Sequence, residues 1–107
     1  MSEQDNENYM SFAERWKRLE DVRDEEFLRF DRVENKRSSR PDIHAFILLN
    51  ELCPGERDII NGAEHDVYFL DIGVDELTEK ATDDQLIELH RCGITYLTEY
   101  DCLGSFA

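Results

Sequence analysis

The chain has 107 residues, of which 40% are hydrophobic and 36% charged, and its formal net charge is −14 at pH 7. A chain of this length normally forms one domain, and its apolar content is too high for a disordered protein. The negative charge argues against direct binding to nucleic acid or to an anionic membrane, because both are polyanions. It favours a basic protein partner, a bound cation or simple solubility.

Most of this charge belongs to the C-terminal part of the chain. Residues 41–107 contain fifteen carboxylates and three basic residues (−12), whereas residues 1–40 contain eleven carboxylates and nine basic residues (−2). Like charges repel one another in a compact body and lower its stability. The excess therefore suggests a role for the acidic surface.

The sequence also indicates where the protein resides. Its longest uninterrupted apolar run, residues 45–49, is far shorter than the ~18 residues that a membrane span requires. Residues 1–8 are polar and acidic, unlike a secretory signal. Cys53, Cys92 and Cys102 form an odd set without tight spacing, which is typical of reduced thiols in a cytosolic protein. We therefore expect a cytoplasmic protein without a membrane span.

The N-terminal part is predicted to contain a disordered segment, residues 1–10, and an amphipathic helix, residues 11–38. No Gly or Pro occurs from Ser11 to about Lys36, and apolar residues recur at helical spacing. Arg23 and Glu26 interrupt this stripe. A continuous helix here would be roughly 40 Å long, so it either kinks or projects one end toward a partner. The stripe consists of Phe12, Trp16, Leu19, Phe27, Phe30 and Val33.

Residues 39–107 are predicted to form a compact acidic α+β domain. Pro41 and the sequence Cys53-Pro54-Gly55 delimit a helix over 41–52 that is apolar almost all round and therefore central and buried. A strand over 45–49 is the alternative. Residues 55–65 are predicted to be a loop with a short turn near Asn61-Gly62. The aromatic and β-branched segment 66–72 is typical of a strand.

The remaining elements complete a small sheet. Residues 74–80 are predicted to form one or two helical turns, and the capping-box pattern of residues 82–85 begins a helix over 83–92 that ends at Gly93. Residues 94–99 and 102–106 are predicted to be strands joined by a tight turn near Asp101. We expect a small antiparallel sheet (66–72, 94–99 and 102–106) packed against helices 41–52 and 83–92, with the long N-terminal helix lying across this body or extending from it.

The strongest candidate for function is a run of carboxylates in residues 71–88, opposed only by Lys80. A surface of this kind attracts a basic groove and could imitate the phosphate spacing of DNA. The alternative is a solvated surface that keeps a small protein soluble. The predicted binding face consists of Asp75, Glu76, Glu79, Asp83, Asp84 and Glu88.

Two other clusters suggest chemistry. Glu64-His65-Asp66 could supply a general base or two metal ligands, but a strand-entry loop in which His65 bonds a backbone group is the favoured interpretation. His90, Cys92 and Cys102, joined by His65 or an Asp, could bind zinc, but buried thiols explain both cysteines more simply. His44 lies in an apolar helix and is interpreted as a core histidine. We therefore predict no catalytic residue, no metal and no cofactor.

The aromatic stripe of the N-terminal helix suggests a third possibility. Intramolecular packing is the favoured interpretation, and a homodimer seam is the functional alternative, because one small body does not need a helix of that length. The interruption of the stripe argues against a long coiled coil. The predicted oligomer face consists of Phe12, Trp16, Leu19, Phe27 and Phe30.

Three stretches carry a resemblance: residues 52–55 (LCPG), 63–71 (AEHDVYFLD) and 89–96 (LHRCGITY). Over residues 41–107 the chain resembles small acidic proteins of tailed phages and prophages. Such proteins often bind a host protein and block it, so the resemblance implies an interaction role, and it assigns no site residue.

We therefore expect a non-enzymatic acidic protein that binds, and could inhibit, a protein with a basic surface. The alternatives are a small metal-dependent or acid/base enzyme centred on Glu64, His65 and Asp66, and a structural homo-oligomer built through the N-terminal helix.

Overall fold

The computed structural model describes residues 11–64 and 66–106 of the chain. This part is α+β, as predicted, with a four-stranded antiparallel sheet and five α-helices. The predicted disorder of residues 1–10 lies outside the described residues. The elements in chain order are α1 (Phe12–Arg18), α2 (Glu20–Glu26), a 3-10 helix (Phe30–Arg32), α3 (Pro41–Leu52), β1 (Ile60–Glu64), β2 (Val67–Leu70), α4 (Val74–Lys80), α5 (Asp83–Arg91), β3 (Ile94–Leu97) and β4 (Cys102–Phe106).

The sheet consists of two hairpins placed side by side. The strand order is β1-β2-β4-β3, and every neighbouring pair is antiparallel. Tyr68 of β2 lies opposite Ser105 of β4, and Leu103 of β4 lies opposite Tyr96 of β3. Because directly opposite residues point to the same side of a sheet, these four side chains share one face, which we call the inner face. Tyr96, Leu103 and Ser105 are buried there, so this is the face that helps to build the core.

The prediction of a loop over residues 55–65 was wrong, because Ile60–Glu64 forms the edge strand β1. Asn61-Gly62 is a common turn signal, but here it lies inside the strand, where the pairing register shifts between Ile60 and Gly62. Such a shift is a β-bulge, a usual setting for glycine in a strand. A Cβ at position 62 would also lie 3.2 Å from the Phe69 ring, so glycine lets that ring pack across the strand.

The prediction of one long N-terminal helix was also wrong, because the helix breaks at Leu19 into α1 and α2. Arg23 takes up the Trp16 carbonyl group that the break leaves without a helical partner. Its Nε donates to the Trp16 carbonyl oxygen at 3.0 Å, and its guanidinium lies 4.5 Å from the centre of the Trp16 ring. In a continuous helix that carbonyl would accept the backbone N–H of Glu20. The kinked form that the sequence left open is therefore the one observed, and α2 ends before Leu28, whose φ is +62°.

The core lies between α1, α3, α4, α5 and the inner face of the sheet. Helix α3 has the predicted bounds, and its buried residues include Ala45, Leu48 and Leu49. It is not buried all round, because Ile43 is 44% exposed. Helix α5 has the predicted capping box between Thr82 and Gln85. Phe12 and Trp16 belong to the same core cluster as residues of α3, α5 and the sheet, so α1 is part of this body.

Among the residues that the structure describes, no helix combines the length and the apolar character needed to cross a membrane.

Candidate interaction surface

Three of the predicted acidic residues lie on α4. Asp75 and Glu79 are exposed, one helical turn apart, and neither forms an ion pair with a described residue. Glu76 accepts a hydrogen bond from Lys80 Nζ at 3.0 Å, and this contact raises the pKa of Lys80. Two negative charges four residues apart, such as those of Asp75 and Glu79, destabilise a helix by about 0.2–0.5 kcal/mol. Helix α4 therefore carries two exposed carboxylates without an ion pair to a described residue, of which Asp75 lies in the first turn, where a negative charge suits the helix dipole.

Asp83, by contrast, is neutralised by α1. Arg15 Nε donates to Asp83 Oδ1 at 2.9 Å, and the other nitrogens of the guanidinium donate to the carbonyl oxygens of Thr78 at 2.6 Å and Ala81 at 2.5 Å. Arg18 donates to Asp83 Oδ2 at 2.8 Å. The Arg15 side chain is 12% exposed, so it fills the space between the C-terminal end of α4 and the start of α5. Asp83 thus helps to hold α1 on the body, and its charge is matched within the chain.

Glu88 is tied to a core histidine. Its Oε2 lies 2.6 Å from His44 Nε2, while His44 Nδ1 accepts the backbone N–H of Arg37 at 3.1 Å. This pattern assigns the proton of the neutral ring to Nε2, which donates to the carboxylate. Both ring nitrogens are therefore occupied, and His44 is 2% exposed. The interpretation of His44 as a satisfied core residue is confirmed.

Asp84 and Glu88 line a polar groove of about 410 Å³ that is shared with two arginines. Arg32 and Arg91, which also line it, both donate to Glu26, at 2.6 and 2.7 Å. These contacts, that of Arg91 first, lower the pKa of Glu26. Asp84 forms no ion pair with a described residue, but cations are close by. The six carboxylates predicted as one face therefore occupy three settings: α4, the contact with Arg15 and this mixed-charge groove.

Sequence reasoning missed Asp101 as the hydrogen-bond partner of Tyr96. Tyr96 O–H donates to the Asp101 carboxylate. Burial, and after it the charges of Asp101 and Asp75, raise the pKa of Tyr96 to about 12. Asp75 and Asp101 thus act on the same phenol, although 26 residues of chain separate them. The sequence predicts a strand over residues 94–99 and a turn near Asp101, but only the folded hairpin shows that Asp101 pairs with Tyr96.

The Glu64-His65-Asp66 cluster is described only in part, because His65 lies outside the described residues. Glu64 ends β1 and Asp66 precedes β2, and both are exposed. Glu64 accepts the O–H of Tyr100 at 3.1 Å, and this contact raises the pKa of Tyr100. Of the two described members of the cluster, Glu64 already accepts a hydrogen bond and Asp66 is exposed. The enzymatic interpretation stays a prediction.

Cys53, Cys92 and His90 are buried, and Cys102 is half-buried. Burial raises the pKa of Cys92 to about 12 and also raises that of Cys53 and Cys102. His90 Nδ1 lies 3.0 Å from the Ile94 carbonyl oxygen, and burial lowers its pKa. A thiolate is the form that attacks substrates or binds metal, and burial disfavours it. In the described ranges, no three His, Cys, Asp or Glu side chains are grouped so as to hold a metal ion.

The aromatic residues of the N-terminal part pack within this chain. Phe12 and Trp16 are buried and lie 5.7 Å apart, and each meets another core ring: Phe12 meets Tyr96 at 5.1 Å and Trp16 meets His90 at 5.2 Å. Phe27 lies 4.8 Å from the His90 ring. Leu19 and Phe30, which complete the predicted oligomer face, are half-buried and packed against the core. These side chains serve intramolecular packing, the interpretation that the sequence favoured.

The two edge strands of the sheet differ in exposure. Four of the five residues of β1 are exposed, whereas β3 alternates buried and half-buried residues. In an antiparallel pair, the backbone groups of alternate residues point away from the partner strand. No described residue forms a hydrogen bond to the outer side of β1. The β1 edge is therefore open on the part of the protein that the structure describes.

An apolar groove of about 380 Å³ reaches this edge. Ile60 of β1 and Tyr68 of β2, each 39% exposed, contribute to its lining from the sheet. Phe46 of α3 and Leu28, which is 59% exposed, contribute from the helical layer. Pro41, Asp42, Cys92 and Ser105 complete the lining. The groove therefore runs over the inner face of the sheet as far as β1.

Comparisons with known proteins revealed no relative. No protein-family model matches the chain, and neither the curated proteins nor the solved structures produced a match. Any functional interpretation must therefore come from the residues and contacts themselves.

Proposed function

We propose that this protein has no catalytic activity of its own and binds another protein through that protein's basic surface. The observation that carries this proposal is the pair Asp75 and Glu79, exposed on α4 without an ion partner among the described residues. Like charges one turn apart lower helix stability, and Glu79, unlike Asp75, lies outside the first turn, the part of the helix where the dipole favours a negative charge. They belong to a part of the chain, residues 41–107, with a net charge of −12.

The contacts divide the carboxylates of the proposed face by role. Asp75, Glu76, Glu79 and Asp84 form its electrostatic part, since three of them lack an ion partner and Glu76 has only the exposed Lys80. Asp83 and Glu88 act mainly in structure, through Arg15 and His44. Exposed charges of this kind speed the association of partners and make it sensitive to salt, whereas buried apolar anchors supply most of the affinity.

The resemblance to small acidic phage proteins favours a host protein as the partner and inhibition of that protein as the outcome. In this proposal the protein acts in the cytoplasm, does not bind nucleic acid directly and requires no cofactor. The acidic surface then serves to select a cationic protein from a mixture in which most proteins are neutral or acidic.

Charge reversal on α4 tests the proposal. The double variant Asp75→Lys/Glu79→Lys is compared with Glu20→Lys/Asp21→Lys, which makes the same change in net charge at exposed carboxylates early in α2. Proteins captured from lysate by the wild type are identified, and the leading candidate is purified and its association rate measured at low salt. The wild type should bind a protein with a basic surface, and the α4 variant should associate about tenfold more slowly.

The α2 variant is the matched control and should retain most of the association rate. Equal association of all three proteins would contradict the proposal, since the α4 carboxylates would then be a solubilising surface only. Circular dichroism of each variant checks that its helices are intact.

A further inference from the structure

We propose that the open edge of β1 is a docking site for an extended, cationic segment of a partner protein. The segment would pair with β1 as a fifth strand of the sheet and place alternate apolar side chains in the groove beside it. This inference rests on the proposed function and names the recognition mode and the chemistry of the partner segment.

The first argument is the state of the β1 backbone. An exposed edge strand presents unpaired N–H and C=O groups, and proteins usually protect such an edge with Lys, Pro or a covering element. The protective features of β1 itself are the bulge between Ile60 and Gly62 and the charge of Glu64, its last residue, while residues 60–64 (INGAE) contain neither Lys nor Pro. The described residues provide no cover on the outer side. A strand added there would satisfy groups that are otherwise left to water, as in other complexes formed by strand addition.

The second argument is the groove. Successive side chains of a strand alternate between faces, so every second residue of an added strand would point to the inner face. Ala63 lies opposite Tyr68, and both therefore belong to that face, where Tyr68 and Ile60 line the groove. A volume of about 380 Å³ lies near the low end of the ~300–1,000 Å³ range of ligand pockets and suits a few side chains better than a whole element.

Leu28 provides an apolar wall to this groove at some conformational cost. Its φ of +62° is unusual for a residue other than glycine. The backbone N–H of Leu28 donates to the His90 carbonyl oxygen at 3.3 Å, and its side chain packs over Gly93, where an added Cβ would lie 3.2 Å from Leu28 Cδ2. A large apolar side chain is thus held in place while 59% of it stays exposed. Positioned apolar groups of this kind are typical of binding sites.

The third argument is charge, which selects the occupant. The segments on either side of β1 are acidic, and Asp42 lines the groove. Arg57 lies in this region, but it pairs with Asp71 at 3.0 Å. The other cation next to a groove residue in sequence is Arg40, which directly precedes Pro41. Glu56 and Asp58 precede β1, Glu64 is its last residue, and Asp66 follows it.

The same charges disfavour a second copy of this chain as the occupant. Antiparallel pairing of two β1 strands would bring Glu64 of one copy toward Asp58 of the other, and each copy carries a net charge of −14. A segment in which Lys or Arg alternates with apolar residues instead matches both the acidic flanks and the groove.

A peptide experiment on the full chain tests the inference. The probe is a soluble peptide of about seven residues in which valine alternates with lysine, long enough to span the five residues of β1. The control peptide has the same sequence with N-methyl groups on alternate amides, which removes strand pairing but keeps the charge. The unmodified peptide should bind, and N-methylation on the edge that faces β1 should weaken binding by about tenfold or more.

Two further measurements separate strand addition from charge attraction. Peptide binding should slow hydrogen exchange of amides in residues 60–64, because outward N–H groups become paired. The variant Ala63→Lys, which puts a cation on the groove side of β1, should weaken binding, whereas Thr98→Lys, the same charge change at an exposed residue of the β3–β4 turn, should not.

The outcomes distinguish this inference from the function on which it rests. Equal binding of both peptides without exchange protection in β1 would overturn strand addition. If both peptides bound equally to the wild type and neither bound to Asp75→Lys/Glu79→Lys, the result would support the proposed function although it overturned strand addition. Failure of the peptide to bind would overturn docking at β1, and the lysate experiment would still test the function independently. Dimerisation of the wild type that Ala63→Lys abolishes would assign the edge to a second copy and overturn the cationic segment.

Discussion

Arg15 and Asp83 are separated by 68 positions in the sequence, and their side chains meet at 2.9 Å. The same guanidinium donates to two backbone carbonyl oxygens, those of Thr78 and Ala81, near the C-terminal end of α4. A helix leaves its last carbonyl groups without intrahelical donors, and a cation placed there also suits the helix dipole. One side chain therefore satisfies the end of α4, pairs with the start of α5 and anchors α1.

The first prediction concerns this side chain. Arg15→Met keeps much of the packing volume but leaves the Thr78 and Ala81 carbonyls without their side-chain donor and Asp83 with Arg18 as its remaining donor. We expect a loss of about 2–3 kcal/mol in the free energy of unfolding, measured by urea denaturation. Arg18→Met is the control, because Arg18 is 52% exposed and its ion pair with Asp83 should contribute less than about 1 kcal/mol. Equal losses in the two variants would contradict the role of Arg15.

Local signals explain which elements could be predicted from the sequence. Helices α3 and α5 were recognised with nearly their observed ends, because Pro41 and the Thr82–Gln85 capping box act within one turn of the chain. Strand β1 was missed because Asn61-Gly62 is a turn signal by local rules. Asn61-Gly62 becomes part of a strand only because Gly62 pairs with Phe69 of β2. The break at Leu19 likewise leaves the Trp16 carbonyl group to the Arg23 side chain, a contact that helical periodicity does not encode.

Contacts between residues distant in sequence also limited what could be predicted of the candidate site. The sequence identified the carboxylates of α4 and α5, and the structure places Asp75 and Glu79 away from the buried Val74 and Leu77. The sequence could not identify which charges are matched, because the partners of Asp83 and Glu88 come from α1 and α3. The edge of β1 and its groove were out of reach once that strand was taken as a loop.

The second prediction concerns thiol reactivity. Burial raises the pKa of Cys92 to about 12, so almost none of it is thiolate at pH 8. Cys102 is only half-buried, although its pKa is also raised, by burial first. In the native protein iodoacetamide should therefore modify Cys102 before Cys92, as measured by mass spectrometry of peptides over time. In urea the cysteines should react at similar rates. Rapid modification of native Cys92 would show that the thiol is more accessible or more acidic than its surroundings imply.

The third prediction concerns acid stability. Burial lowers the pKa of His90 in the folded state below the ordinary value of 6.5; the hydrogen bond with the Ile94 carbonyl oxygen opposes this shift, and the charges of Arg23 and Asp24 respectively add to it and oppose it. Below pH 6.5 the unfolded chain therefore binds a proton that the folded chain binds less readily. The contribution of His90 is thus fully present above about pH 6.5 and declines as the pH falls toward its folded-state pKa.

Urea denaturation at pH 7.5 and pH 5.5 measures this effect. The wild type should lose more stability between these two values than His90→Gln, which has no group that titrates there. Both measurements lie above the ordinary pKa of the carboxylates, so the lowered pKa of Glu26 acts mainly at lower pH. An unchanged pH dependence in His90→Gln would contradict the assignment to His90.

The fourth prediction concerns the face of the sheet opposite the core. Gly104 of β4 lies beneath two apolar side chains, and an added Cβ would come 2.6 Å from Leu97 Cδ1 and 3.0 Å from Val67 Cγ1. Gly104→Ala should therefore destabilise the protein by about 1–3 kcal/mol, as other overpacking substitutions do. The matched control is Gly55→Ala, where nothing lies within 4 Å of the new Cβ, and it should change stability by less than about 1 kcal/mol. Adding Leu97→Ala to Gly104→Ala should recover part of the loss if the clash is its cause. Urea denaturation of the three variants measures this, and a Gly104→Ala protein as stable as Gly55→Ala would exclude the close packing of Leu97 over β4.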